Sequence, residues 1–384
     1  MPSLLGRRQQ SDLLARGFSR RDFGRIAALL AAGATLPFFN EGALAQLSAI
    51  KGPIPSDAVK IDANENPLGP CPEAIEAVRV ITVQGGRYLY AETDTFVETM
   101  ASTEGLTADY IKPYPGSSLP LHHAAIAFCS PQKGFVTADP GYEAGERAAQ
   151  FIGAKVSRVP LTKTYAHDVK GMCAAAAANN AGIIYVCNPN NPTGTLTPRE
   201  DIEWLLANKP AGSILLLDEA YIHISGAPMC SDLVRDGKDL IILRTFSKIY
   251  GMAGLRAGAA MARPDLLQKL GAWSAGAMPI TGVAAATASL KSPNLVADRR
   301  KLIGDVREEC IAFLKAKGFT VVPSVSNKFM VDVRRPGGEI ITAMRKEKVY
   351  IGRVWPSWPT YVRVTVGTRE EMEKFKAAFI KVTA

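Results

Sequence analysis

"LIILRTFSKIYGMAGLR", residues Leu240 to Arg256, runs from a short apolar stretch into a lysine framed by hydroxyls and followed by an arginine. The segment Leu240 to Arg244 has the nearly unbroken apolar character of a strand buried on both faces of a parallel sheet. Lys248 then falls just beyond that strand's carboxyl end, where open α/β sheets bind ligands. A lysine in such a place serves chemistry or a buried partner more readily than solubility.

Two stretches upstream have the same form. "GIIYVCNPNNPTG" (Gly182 to Gly194) carries a strand-like run into a turn rich in asparagine, proline and glycine. "SILLLDEAY" (Ser213 to Tyr221) delivers an aspartate and, three positions later, a tyrosine. Three predicted strands thus end in Asn191, Asp218 and Lys248. Taken singly, each has a plain structural reading as a turn, a helix cap or a solvated side chain. Together they ask for more, because an aspartate at the end of a buried strand must be paired or hydrogen bonded. A protonated ring nitrogen is a partner of the right kind.

The chain has 384 residues, 47% hydrophobic and 21% charged, enough for one large domain and a smaller companion. Its formal charge is +9, but residues 1–45 hold six arginines against Asp12, Asp22 and Glu41. The remaining +6 forms no basic stripe interleaved with aromatics, so nucleic acid is not the expected partner. The six cysteines lack metal-binding spacing, and the four histidines (His122 and His123 adjacent, His167 and His223 isolated) leave no zinc site. No GxSxG elbow, GxGxxG fingerprint or P-loop is present. The alanine-rich patch from Cys173 to Asn180 reads as a helix and its end.

Residues 1–45 read as an address. "SRRDFGR" (Ser19 to Arg25) precedes a mildly apolar stretch, Ile26 to Phe39, and then "ALA" (Ala43 to Ala45), which together resemble a twin-arginine export signal cleaved before Gln46. The expected location is the periplasm. An amphipathic N-terminal helix with unrelated arginines is the alternative, and it leaves the protein cytoplasmic. The apolar stretch is shorter than the roughly 20 residues of a membrane span.

In chain order, "NPNNPTG", "DEAY" and "TFSKIYGMAGLR" resemble the fold-type I pyridoxal-phosphate aminotransferases, and most closely their histidinol-phosphate aminotransferase branch. "DANENPLGP" (Asp62 to Pro70), "GGRY" (Gly85 to Tyr88), "PGSS" (Pro115 to Ser118) and "VRVTVGTREE" (Val362 to Glu371) extend the resemblance over nearly all of Ile61 to Ala384. It implies an aspartate aminotransferase-like α/β fold with pyridoxal 5′-phosphate as cofactor. The large domain would span residues 76–275 around a mainly parallel seven-stranded sheet, after an arm at 46–75, with a smaller α/β domain at 276–384.

The roles implied are chemically sensible. Lys248 would form the aldimine with the cofactor and then move the substrate's α-proton, a task for a lysine held as a free amine; no other lysine sits in such a frame. Asp218 would keep the pyridine nitrogen protonated. Asn191 and Tyr221 would hydrogen-bond the ring's phenolic oxygen, and Tyr142 would stack on the ring. Thr245, Ser247, Arg256, Ser117 and Ser118 would hold the phosphate, with a helix N-terminus aimed at the anion. Tyr88 would reach that phosphate from a second subunit, making a homodimer.

For the substrate, the resemblance implies Arg363 as a two-point carboxylate clamp, Arg353 as a second arginine for a distal anion, and Asn66 beside them. An exposed strand arginine is the other reading of Arg353. The chain departs from the branch in "GSSLPL" and in "VWPSWPTYV", whose Trp355 and Trp358 suggest a more aromatic pocket. Export also sits badly with histidine biosynthesis, a cytoplasmic pathway. The expectation is an aminotransferase of another donor; a decarboxylase or lyase on the same fold, or a non-catalytic binding protein, would keep the same lysine and aspartate.

Overall fold

The computed structural model describes residues 5–31, 54–273 and 276–384. Ile183–Cys187, Ile214–Asp218 and Leu240–Thr245 are strands buried at every position. Both faces of their sheet are therefore covered, which is why these runs are apolar without alternation. They form the middle of a seven-stranded sheet ordered Ile111–Tyr114, Gly258–Met261, Leu240–Thr245, Ile214–Asp218, Ile183–Cys187, Phe135–Asp139, Val156–Pro160. Gly258–Met261 runs antiparallel to both its neighbours, and the remaining pairs are parallel. The register sets Cys187 beside Asp218 and Asp218 beside Leu243, so the three polar turns open from one edge of the sheet.

The C-terminal part is an antiparallel ladder, with Lys328–Asp332 between Tyr361–Thr365 and Thr320–Val321. The arm adds Val59–Ile61, which pairs in parallel with Val349–Ile351. This pairing carries the arm from the small domain across the mouth of the large one. Helix Ile280–Lys291 lies within the stretch expected to be the small domain, yet it packs against helices Pro72–Thr82 and Tyr90–Glu104. Gly282 lets the helix also approach the turn after Lys248, since a Cβ there would come within 2.3 Å of the Leu255 carbonyl oxygen. The alanine-rich patch is helical, Val169–Ala178.

Residues 1–45 were expected to be an address apart from the folded body, and over residues 5–31, the part of that stretch the structure describes, the structure differs. Arg7–Ala15 and Asp22–Ala31 are helices, and Leu13, Phe18, Ile26 and Leu29 are buried in the core. The Arg16 guanidinium donates to the carbonyls of Ile126 and Cys129, and Gln9 Nε2 to that of Ala272. The segment packs because its apolar residues share one side while Arg16 satisfies carbonyls at a helix end that would otherwise lack partners. Ala43 to Ala45 and Gln46 lie outside the described residues. Among the described residues, no helix is long and apolar enough to cross a membrane, and no group of side chains has the makings of a metal site.

Candidate active site

The three strand ends meet at a cleft of about 240 Å³ lined by Asn191, Asp218, Tyr221 and Lys248. Ser117, Ser118, Tyr142, Thr245, Ser247 and Arg256 line the same cleft, so ten side chains expected at one site are brought together. Lys248 follows directly from its buried strand, and its Nζ lies 3.4 Å from the Ala63 carbonyl oxygen of the arm. It also lies 5.6 Å from the Tyr221 ring centroid.

Asp218 occupies the deep end. Tyr185 Oη donates to its Oδ2 at 2.9 Å and the Ala220 amide to its Oδ1 at 3.1 Å. Burial nevertheless pushes the carboxyl up to about 6, with those hydrogen bonds and the Lys248 and Lys328 charges pulling the other way. Such a carboxyl lacks a full cationic partner. Asn191 is oriented from behind, where Arg363 donates to its Oδ1 at 2.9 Å. Tyr221 Oη accepts from Asn64 Nδ2 at 3.2 Å.

The opposite end is made of donors. Thr245 Oγ1 donates to Ser247 Oγ at 2.9 Å, and Arg256 holds its fork in place through the carbonyls of Ala253 and Pro115, at 2.8 and 2.9 Å. Helix Ser118–Phe128 begins at this point. Gly116, at φ +96°, keeps the space open, since a Cβ there would stand 2.6 Å from the Arg256 guanidinium. Hydroxyls, an arginine and a helix N-terminus around a space that a single methyl would close form a seat for a phosphate.

Four expected site residues lie elsewhere. Asn66 donates to the Ile249 carbonyl at 3.0 Å and lines a smaller neighbouring cavity, where it steadies the turn after Lys248. Arg363 is fully buried behind Asn191, its second nitrogen donating to the Asp62 carbonyl. Arg353 is no exposed strand arginine: it pairs with both Glu143 oxygens, one at 2.7 Å, and lies 4.3 Å above the Trp355 ring. Tyr88 is 69% exposed on the surface.

Asn64, Tyr185 and Lys328 were not anticipated. Asn64 lies inside the quoted "DANENPLGP" and takes a positive φ of 54° in the structure; asparagine's tolerance of that conformation was the one signal the sequence offered. Tyr185 was hidden within an apolar run. Arg244, read only as the end of a strand, is buried between Glu104 and Glu219 and anchors that strand from below.

A model of the family described as aminotransferase class I and II matches residues 56–379. The chain belongs to this family. Class I and II aminotransferases are pyridoxal-phosphate enzymes, and the chain is histidinol-phosphate-aminotransferase-like in sequence. It is 35% identical to a histidinol-phosphate aminotransferase of Symbiobacterium thermophilum over 84% of this chain and 90% of that one. It is 32% identical to one of Moorella thermoacetica over 85% and 86%. Among solved structures, the histidinol-phosphate aminotransferase of Sinorhizobium meliloti in complex with pyridoxal-5′-phosphate superposes with a TM-score of 0.78. That likeness has 25% identity and covers 90% of this chain and 94% of the other.

The cleft of this aminotransferase fits the cofactor at both ends. A carboxyl raised by burial meets the requirement of a ring nitrogen, and the Gly116 cradle that of a phosphate. When bound, the cofactor supplies an electron sink for the pair left at the substrate's α-carbon. Lys248 Nζ, at the cleft wall, is placed where it would take the α-proton and return it. Asp218 would hold the ring nitrogen at the deep end, Asn191 and Tyr221, positioned by Arg363 and Asn64, would face the ring's phenolic oxygen, and Tyr142 would cover one face.

Proposed function

We propose that this aminotransferase takes its amino group from a carboxylate-bearing amino acid with a large apolar or aromatic side chain, in preference to histidinol phosphate. The observation that carries this reading is the pairing of Arg353. Its side chain and that of Glu143 are 10% and 15% exposed, so recruiting Arg353 to a distal phosphate would strand a buried carboxylate, at a cost on the order of 3–5 kcal/mol. Trp355 lies beneath it, almost fully buried, with Tyr165, Trp358 and Tyr361 packed nearby. Arg363 would exchange a main-chain carbonyl for the substrate carboxylate, gaining a charged two-point bond. The reading departs from the donor named for the relatives above. Rates for aromatic amino acids, glutamate and histidinol phosphate, with 2-oxoglutarate and pyruvate as acceptors, test it; preference for histidinol phosphate refutes it.

We also infer a homodimer. Ile75, Val80, Val83, Tyr88 and Tyr90 leave a large apolar surface exposed on one stretch of chain, Val83 by 85%. A second copy covering it would put Tyr88 within reach of the partner's phosphate seat. Mass measured by light scattering, and weaker cofactor retention in Tyr88→Phe, are the checks. Export to the periplasm remains our reading of Arg20 and Arg21, which are exposed in the turn between the two N-terminal helices. A reporter fused to residues 1–45 should reach the periplasm only while both arginines are intact; export of the double lysine variant contradicts this, and retention of the parent fusion means a cytoplasmic enzyme.

A further inference from the structure

We propose that Lys328 is a positioning residue for the reaction, a second buried cation that acts on the Lys248 amine through the ring of Tyr221. Lys328 opens the strand Lys328–Asp332, opposite Thr365, while Met330 stands opposite Arg363. Residues directly opposed in an antiparallel pair share a face, so Lys328 and Arg363 project from the same side of the small sheet, toward the cleft. Lys328 has no exposed surface. Its Nζ lies 3.0 Å from the Tyr221 ring centroid and donates to Ser326 Oγ at 3.0 Å.

Tyr221 lines the cleft and Lys328 does not. Lys248 Nζ is 5.6 Å from the same ring centroid, so the two ammonium groups can be no further apart than the sum of the two distances. A buried ammonium needs compensation, and here it comes from the ring face, the Ser326 hydroxyl and the negative charge of Asp218. The charged and titratable groups around Lys328 include Tyr221, Asp218, Cys187 and Lys248, with Arg363 on the adjacent strand. A second positive charge so close, with both lysines buried, disfavours protonation at the Lys248 nitrogen and so favours the form that accepts a proton. Lys328 touches neither the substrate's space nor the phosphate seat; its effect passes through Tyr221 and through space.

The inference rests on Lys248 being the cofactor's anchor, and the test separates the two. The visible absorption of the holoenzyme is titrated with pH for the parent, Lys328→Met and Lys328→Arg, with thermal midpoints measured alongside. Lys328→Met removes the charge and keeps the length, and its spectral midpoint should rise by about one pH unit. Lys328→Arg should return it to the parent value. If the methionine variant does not fold, Lys328→Gln carries the same comparison, since it loses the charge but retains a donor for Ser326. A spectral midpoint that stays put or falls, whatever happens to thermal stability, would make Lys328 a packing residue and overturn the proposal. A parent band that does not titrate would overturn the proposal alone, whereas a parent protein with no visible band would contradict the Lys248 assignment, and the proposal with it.

Discussion

Replacing Asp218 with asparagine in the cofactor-free protein should stabilise it, and only at higher pH. Burial raises this carboxyl from its ordinary value of 3.8 to about 6. Its protonated form is therefore favoured by folding, and stability is lost as pH rises from the unfolded value through the folded one. A shift of that size corresponds to about 3 kcal/mol once both states are ionised. Asparagine cannot ionise, keeps an oxygen for the Ala220 amide, and meets a Tyr185 hydroxyl that can turn from donor to acceptor. Denaturant unfolding of parent and variant across this range should give equal stabilities below 3.8 and the full difference above about 6. With cofactor bound the order should reverse, because the carboxylate then has its cation and the amide does not. A pH-independent difference, or a variant that retains cofactor as tightly as the parent, would refute the placement of the ring nitrogen at Asp218.

Gly116→Ala places a methyl 2.6 Å from the Arg256 guanidinium and should weaken cofactor retention, read by equilibrium dialysis, while its left-handed backbone lowers the stability of the protein by about 1–2 kcal/mol with or without cofactor. Asn64→Ala removes the donor to Tyr221 Oη and should lower kcat more than it raises KM, by about 1 kcal/mol in the barrier; unchanged kcat would show that the bond is idle. Glu143→Gln releases Arg353 and should improve kcat/KM for donors with a distal anion while sparing aromatic ones. Phe18→Asp should detach the N-terminal helices, seen as faster proteolysis within residues 5–31 and little change in the unfolding midpoint of the rest.

Much of this site could be read in advance because its chemistry is packed into strand ends. A buried parallel strand announces itself by an unbroken apolar run, and the polar residue that follows must stand at the sheet's edge. Asn191, Asp218 and Lys248 were placed on that ground alone. What could not be read depends on contacts between distant parts of the chain. Asn64 meets Tyr221 only after the arm pairs with the small domain, and Arg353 meets Glu143 across the two domains. Lys328 sits in a strand with no sequence signal to separate it from a solvated lysine; only the opposing Tyr221 ring gives it meaning. That the N-terminal helices pack on the body could not be read, because the complement of their apolar side lies more than a hundred residues away, around Ile126.

Lys248, at the end of the Leu240–Thr245 strand, is the residue expected to anchor pyridoxal phosphate. Borohydride reduction of the holoenzyme followed by tryptic peptide mass analysis tests it without reference to any substrate. Trypsin cuts after Arg244 and Arg256 but not after a modified lysine, so the account predicts an uncut "TFSKIYGMAGLR" peptide carrying the mass of the reduced cofactor. An unmodified peptide cut at Lys248, with the label on Lys328 or absent, would contradict it.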